Sequence, residues 1–184
     1  MMPDHTDTMR PVCRECASLE LGDAEVISLQ VLDRAPVDHT EVAPELLQAD
    51  VAADVDLPAV IAQKRGLLAR TGGAGAELIA CDLAGDGVAA ALARAIANRT
   101  AVIFVIEALM IYLEPDAAAR LLDACCGVSS ASVSLCFADR LRMEGVDEAA
   151  AARVLADRGF DLVQYIPKPG LARHMGVARR REVM

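Results

Sequence analysis

The chain of 184 residues carries a formal net charge of −9, and 54% of its residues are hydrophobic although only 3% are aromatic. This composition suits one globular domain whose core is filled by Ala, Val and Leu, and it excludes a disordered chain. The acidic balance argues against a nucleic-acid partner, which requires a basic face. No run reaches the roughly 18 apolar residues that a membrane helix needs, so no membrane partner is expected.

The first part of the chain shows no hydrophobic period. Residues 1–22 mix charged residues, Pro and Thr and predict a loose arm in front of one domain over residues 23–184. This N-terminus lacks an apolar signal segment, so we expect a cytoplasmic chain whose six Cys are reduced thiols. Cys13 and Cys16 form at most half of a zinc site, so no metal is expected. The Cys125–Cys126 pair lies on a helical apolar stripe and is expected in the core.

Strand and helix patterns alternate along the rest of the chain. The strand candidates are 25–32, 50–55, 77–81, 101–106 and 132–137, and the helix candidates are 56–71, 86–98, 115–126 and 147–158. This alternation predicts βαβ units and an α/β fold with a doubly wound, mostly parallel sheet. Two last segments, 162–166 and 173–179, flank a Pro-Lys-Pro-Gly turn and predict a C-terminal antiparallel hairpin.

The most informative stretch is Ala101–Leu113, AVIFVIEALMIYL. Its first six residues are a continuous β-branched and aromatic run, which is typical of a strand covered on both faces. Glu107 stands where this run ends, and ligands of open α/β sheets bind just beyond the carboxyl ends of the strands. The pattern therefore predicts a ligand contact for Glu107, with simple capping of the next turn as the alternative.

Carboxylates end three consecutive strand candidates. Asp54 and Asp56 stand at the end of the second strand, Asp82 at the end of the third and Glu107 at the end of the fourth. Such a row suits a ligand with ribose hydroxyls, an exocyclic amine and a positive charge, because carboxylates accept charge-assisted hydrogen bonds from all three. The alternative is that these acids are there because Asp and Glu favour helix starts.

The order of three motifs resembles a known family. Asp56-Leu57-Pro58 runs into VIAQKRGLL, ACDL follows at Ala80–Leu83, and EALMIYL follows at Glu107–Leu113. Together they are similar to the leucine carboxyl methyltransferase family of S-adenosylmethionine-dependent O-methyltransferases, over roughly residues 50–184. The resemblance implies a Rossmann-like sheet of the class I methyltransferase type, S-adenosylmethionine as the cofactor, and formation of a methyl ester on a small-molecule or protein carboxylate.

The resemblance also implies roles for individual residues. Asp56 would bind the ribose of the cofactor, Asp82 and Leu83 would contact the adenine, and Glu107 would lie near the methionine end. Tyr112 matches a family position near the site. No residue is identified as a general base, and the reaction depends chiefly on in-line positioning and the exclusion of water. Asp54, two residues before Asp56, is a further residue expected near the site.

The chain also departs from the family pattern. The family carries a G-x-G-x-D-x-R loop after the first strand, whereas Leu29–Ala35 keeps Asp33 and Arg34 but contains no glycine. Its Cβ atoms would obstruct close approach of the cofactor. Ala108 replaces the usual Gly after the acid, and family members have an additional N-terminal helical portion. These departures leave two alternatives to an active enzyme: a shortened, catalytically silent binding module, and an incomplete gene product that does not fold alone.

Overall fold

The computed structural model describes residues 25–29, 51–71, 76–97, 99–139, 141, 147–166 and 174–182. The strands are β1 (Glu25–Leu29), β2 (Val51–Asp56), β3 (Glu77–Ala80), β4 (Ala101–Glu107), β5 (Ser132–Asp139), β6 (Phe160–Ile166) and β7 (His174–Arg180). The helices are α1 (Pro58–Thr71), α2 (Val88–Ala95), α3 (Pro115–Cys126) and α4 (Glu148–Asp157), and a single 3-10 turn spans Met110–Tyr112. The predicted arm, the Cys13–Cys16 pair and most of the glycine-loop counterpart lie outside the described residues.

The strands form a seven-stranded sheet in the order β3-β2-β1-β4-β5-β7-β6. Strands β1 to β5 pair in parallel, and β7 pairs antiparallel with both β5 and β6. The chain winds outward in one direction from β1 to β3 and in the other direction from β4, so the order reverses between β1 and β4. The predicted doubly wound parallel sheet and the C-terminal antiparallel pair are both confirmed.

One face of the sheet carries the main hydrophobic core. Because strand side chains alternate between faces, every second residue of β4 and β5 points to this core. The core residues on these strands are Val102, Phe104, Ile106, Val133, Leu135 and Phe137, and they pack against Leu92 of α2, Leu121 of α3 and Leu155 of α4. Helix α1 packs instead against β2 and β3. The expected burial of β4 is confirmed, since Val102, Ile103 and Phe104 are all buried.

Local sequence signals define the helix ends. Asp147 caps α4, and its Oδ1 atom accepts a hydrogen bond from the Ala150 N–H at 2.7 Å. Pro115 occupies the first turn of α3, where a missing N–H costs nothing. After α4, Gly159 adopts a φ of +82°, and this left-handed conformation turns the chain into β6.

The second glycine with a clear steric role lies in β7. A Cβ atom at Gly176 would overlap the Gln164 carbonyl oxygen of β6 and would crowd the Phe137 ring of β5. The bare backbone therefore allows β7 to fit between its two neighbours. Within the described part of the chain, no helix is both long and apolar enough to cross a membrane.

Candidate functional site

The candidate site lies at the carboxyl edge of the sheet, where the strand order reverses. Leu29, the last residue of β1, is in register with Val55 of β2 and with Ile106 of β4. The chain therefore leaves β1 between Asp56 and Glu107. In doubly wound sheets this reversal opens a crevice at the carboxyl ends of the strands, and ligands bind there.

Asp56 ends β2 and is completely buried. Its Oδ1 atom accepts from the Leu57 N–H at 2.7 Å, and its Oδ2 atom accepts from the Lys64 ammonium at 3.1 Å. Burial raises the pKa of the Asp56 carboxyl, and the hydrogen bonds from Leu57 and Lys64 oppose this shift. Each Asp56 oxygen accepts one of these two hydrogen bonds, and because a carboxylate oxygen can accept about two, each retains capacity for one more.

Lys64 links Asp56 to a second buried carboxylate. Its Nζ atom lies 2.6 Å from Oδ2 of Asp54, and the Lys64 and Asp54 side chains are only 9% and 12% exposed. The other Asp54 oxygen, Oδ1, is buried and has no hydrogen-bond partner in the described part of the chain. Two carboxylates and one ammonium leave the cluster with one excess negative charge while both acids are ionised. We call Asp54, Asp56 and Lys64 the Lys64 cluster.

Asp82 lies on the neighbouring strand end and is exposed. Asp56 is in register with Ala80, and the Cys81 N–H donates to the Asp56 carbonyl oxygen at 2.9 Å. The Asp82 Oδ1 atom accepts from the Ala84 N–H at 2.9 Å, which fixes the side chain in an Asx turn. The other carboxylate oxygen of this exposed side chain accepts no hydrogen bond from the described residues, so it can accept one from a ligand at this edge.

Leu83 and Tyr112 occupy opposite environments. The Leu83 side chain is 1% exposed and belongs to the hydrophobic core, so only its main chain is left for contact with a ligand. Tyr112 ends the 3-10 turn after β4, and its side chain is 58% exposed. It therefore presents a large amphipathic group to solvent near the end of β4.

Glu107 is the last residue of β4, is half-buried and is in register with Ala138 of β5. Ala108 follows it with a φ of +48°, the only left-handed residue other than glycine among the described residues. Such a conformation costs an L residue about 1–2 kcal/mol. The family pattern has Gly at the position of Ala108. The left-handed conformation of Ala108 is one that glycine would adopt without strain.

Asp139 stabilises the turn that follows Ala108. It is completely buried at the end of β5, and its Oδ2 atom accepts from the Leu109 and Met110 N–H groups, each at 2.6 Å. The Ala108 N–H donates to the Ala138 carbonyl oxygen at 3.3 Å. Charge-assisted hydrogen bonds of this kind contribute about 1.5–3 kcal/mol each, enough to offset the strain at Ala108.

The structure thus brings most of the expected site residues to one edge. Asp54, Asp56 and Asp82 lie on adjacent strand ends, while Glu107 is two strand spacings, about 10 Å, from Asp56. Sequence reasoning missed Lys64 and Asp139. Lys64 lies eight residues after Asp56, two turns into the helix, and Asp139 is one more acid at the end of a strand, but neither pattern shows which groups these side chains contact. The described residues contain no group of three or more His, Cys, Asp or Glu side chains that could hold a metal ion.

Solved structures with the same fold include several methyltransferases. The chain aligns with the 1,6-didemethyltoxoflavin-N1-methyltransferase of Burkholderia thailandensis, bound to 1,6-didemethyltoxoflavin and S-adenosylhomocysteine, at 19% identity and a TM-score of 0.61, covering 97% of this chain and 80% of that one. It aligns with the magnesium protoporphyrin IX methyltransferase of Synechocystis PCC 6803, bound to S-adenosylmethionine, at 17% identity and a TM-score of 0.59. This alignment covers 96% of this chain and 80% of that one.

A third similar structure is the pyocyanin biosynthetic protein PhzM, at 16% identity and a TM-score of 0.58. The alignment covers 94% of this chain and 54% of PhzM, so the chain spans about half of that protein's length. No curated protein is significantly similar to the chain in sequence.

These likenesses and the strand order define the class of fold. The chain has the class I methyltransferase fold, as expected from the sequence. Residues 44–126 match the model of the leucine carboxyl methyltransferase family, which confirms the resemblance over the segment that carries Asp56, Asp82 and Glu107.

Proposed function

We propose that this protein is an S-adenosylmethionine-dependent methyltransferase that forms a methyl ester on a carboxylate of a small molecule or a protein. The observation that carries the proposal is the row of acids along the carboxyl edge of the sheet, on both sides of the reversal of the strand order: Asp56, Asp82 and Glu107. The match of residues 44–126 to the leucine carboxyl methyltransferase family supports both the cofactor and the type of reaction.

The residues present fit the cofactor at three points. Asp56, held by Leu57 and Lys64, offers oxygen lone pairs to the ribose hydroxyls. Asp82 offers its exposed carboxylate oxygen to the adenine amino group, with the Leu83 main chain beside it. Glu107 offers a negative charge to the ammonium group at the methionine end. When bound, the cofactor supplies an electrophilic methyl group on a sulfonium centre.

The proposed reaction makes few chemical demands on the protein. A carboxylate oxygen of the substrate forms a bond to the methyl carbon as the carbon–sulfur bond breaks, and the electron pair of that bond stays on sulfur. No proton has to be removed from an ionised carboxylate, so no general base is required. The protein residues then act by orienting the two reactants and excluding water.

The proposal extends to cellular location and partners. The four Cys residues in the described segments are all free thiols, which favours a reducing compartment and supports a cytoplasmic location. The net charge of −9 favours a substrate other than nucleic acid.

The test is calorimetric titration of the purified chain with S-adenosylmethionine and with S-adenosylhomocysteine. We expect micromolar binding, and Asp82→Asn should weaken it at least tenfold. The Asn side chain can still accept from Ala84, so the Asx turn is kept, but one acceptor oxygen becomes a donor. Glu77→Gln is the matched control, because Glu77 lies at the opposite end of β3 and should not affect binding.

A second candidate function is a catalytically silent binding module. Two observations favour it: Asp56 is completely buried, and Leu29–Ala35 has no glycine that would let the cofactor approach closely. A folded sample that binds neither S-adenosylmethionine nor S-adenosylhomocysteine would refute the methyltransferase and leave this candidate. Binding that is equally strong in wild type and Asp82→Asn would remove Asp82 from the site.

A further inference from the structure

The proposed chemistry leaves one completely buried carboxylate without a role. Asp139 lies at the same edge of the sheet as the cofactor residues, one strand beyond Glu107. A single oxygen atom of this side chain accepts from two consecutive main-chain N–H groups, those of Leu109 and Met110. The side chains of both residues are fully buried, so water cannot readily replace this acceptor.

We propose that Asp139 is a positioning residue of the cofactor site: it fixes the turn after β4 and thereby places Glu107 against the methionine end of the cofactor. This inference rests on the proposed function. Asp139 acts through the turn and is not assigned any contact with the cofactor or the substrate.

The conformation of Ala108 supports this role. A left-handed non-glycine residue persists only where its surroundings over-determine it, and such residues cluster at ligand sites. Here three successive N–H groups, from Ala108 to Met110, all donate to the last two residues of β5. Two of the three hydrogen bonds depend on the Asp139 side chain. Without it, the turn loses the acceptor that opposes the strain at Ala108, and the backbone next to Glu107 can relax.

The position of Asp139 makes its effect local to one half of the ligand. The residues proposed for the nucleoside, Asp56 and Asp82, lie on β2 and after β3, on the far side of β1 from Glu107. They are held by the Lys64 cluster and the Asx turn, neither of which involves β5. Loss of Asp139 should therefore weaken recognition of the amino-acid half of the ligand and spare recognition of the nucleoside half.

The experiment titrates wild type and Asp139→Ala with S-adenosylhomocysteine and, separately, with adenosine. We expect Asp139→Ala to weaken the binding of S-adenosylhomocysteine at least tenfold and the binding of adenosine by less than twofold. Asp139→Asn should lose less affinity for S-adenosylhomocysteine than Asp139→Ala, because its amide oxygen can occupy the place of Oδ2, although without the charge. Ala108→Gly added to Asp139→Ala should restore part of the affinity, since glycine adopts the left-handed conformation without strain.

Ser130→Ala is the matched control. Ser130 is also buried, precedes β5 at its opposite end, and its hydroxyl has no hydrogen-bond partner among the described residues. This variant should leave the affinity for both ligands unchanged. If Asp139→Ala does not fold, Asp139→Asn and its combination with Ala108→Gly carry the same test.

Three results would overturn the role of Asp139. Unchanged affinity for S-adenosylhomocysteine in a folded Asp139→Ala or Asp139→Asn variant would show that Asp139 has no positioning role. Equal losses for adenosine and S-adenosylhomocysteine would show a general effect on the fold. Failure of folded wild type to bind S-adenosylhomocysteine would refute the proposed function and this role with it, whereas the first two results leave the proposed function intact.

Discussion

The ammonium group of Lys64 lies 2.6 Å from the carboxylate of Asp54, and the two side chains form an ion pair that is about nine-tenths buried beneath α1. The same ammonium reaches Asp56 at 3.1 Å. The cluster joins the first helix to the end of β2 and orients the acid proposed to bind ribose. It is therefore a point where stability and ligand binding depend on the same atoms.

Replacement of Lys64 should be strongly destabilising. Lys64→Met removes the cation and leaves two buried carboxylates facing each other, and breaking a buried ion pair from one side costs about 3–5 kcal/mol. Urea unfolding of wild type and variant measures this difference. Arg94→Ala is the control, because the Arg94–Glu77 pair is exposed and should contribute less than about 1 kcal/mol. Equal losses for the two variants would contradict the assigned importance of the cluster.

The raised pKa of Asp56 predicts a specific pH dependence of stability. The unfolded carboxyl has its ordinary pKa of 3.8, whereas burial raises the pKa in the folded protein. The folded state then binds a proton more tightly, and this contribution to stability is lost as the pH rises from 3.8 through the folded pKa. Asp56→Asn lacks the titrating group and should lack this loss.

The measurement is the free energy of unfolding of wild type and Asp56→Asn at a series of pH values from 4 upward. The stability of wild type relative to Asp56→Asn should decrease as the pH rises and then become constant. A relative stability that instead increases with pH would show that the hydrogen bonds from Lys64 and Leu57 outweigh burial, and that the folded pKa is lowered.

Ala108→Gly should stabilise the protein. Glycine removes about 1–2 kcal/mol of left-handed strain at a φ of +48°, and part of this gain is offset by the greater freedom of glycine in the unfolded chain. We expect a net gain of about 0.5–1 kcal/mol, measured by thermal or urea unfolding.

Gly159→Ala gives the opposite case for the same measurement. Gly159 also has a positive φ, and an added Cβ atom would lie 2.8 Å from the Cys126 sulfur atom. The free energy of unfolding of this variant should be lower than that of wild type by at least about 1 kcal/mol. A loss of stability in Ala108→Gly as well would show that the left-handed conformation at Ala108 carries no strain.

The cysteines should differ in their reactivity toward alkylating agents in the folded protein. Cys125 and Cys136 are buried, and burial strongly raises the pKa of the Cys125 thiol. Cys81 and Cys126 are partly exposed. We expect iodoacetamide to modify Cys81 and Cys126 in the native state and Cys125 and Cys136 only after unfolding in urea, as mapped by mass spectrometry of peptides. Native modification of Cys125 at the rate of Cys81 would contradict the described packing of α3.

Local sequence patterns predicted most of the fold. The stripe Val88, Leu92, Ala95 and Ile96 was expected to be buried, and all four residues are. The same holds for Ala118, Leu121, Leu122 and Cys125 on α3, although Cys126 is only half-buried. Helix α2 is shorter than predicted, at Val88–Ala95, because residues 83–87 form turns after Asp82. Periodicity predicts these features because a helix or strand must turn its apolar side to the core whatever packs there.

The sequence by itself determined the α/β class, the alternation of strands and helices, and the placement of acids at strand ends, since each depends on residues close together in the chain. Only the tertiary structure decided which groups those acids contact. Asp56 is buried against Lys64, and Asp139 accepts hydrogen bonds from Leu109 and Met110, which precede it by 30 and 29 positions in the chain. Burial and hydrogen bonding of this kind depend on which distant segments meet, and no local pattern specifies that meeting.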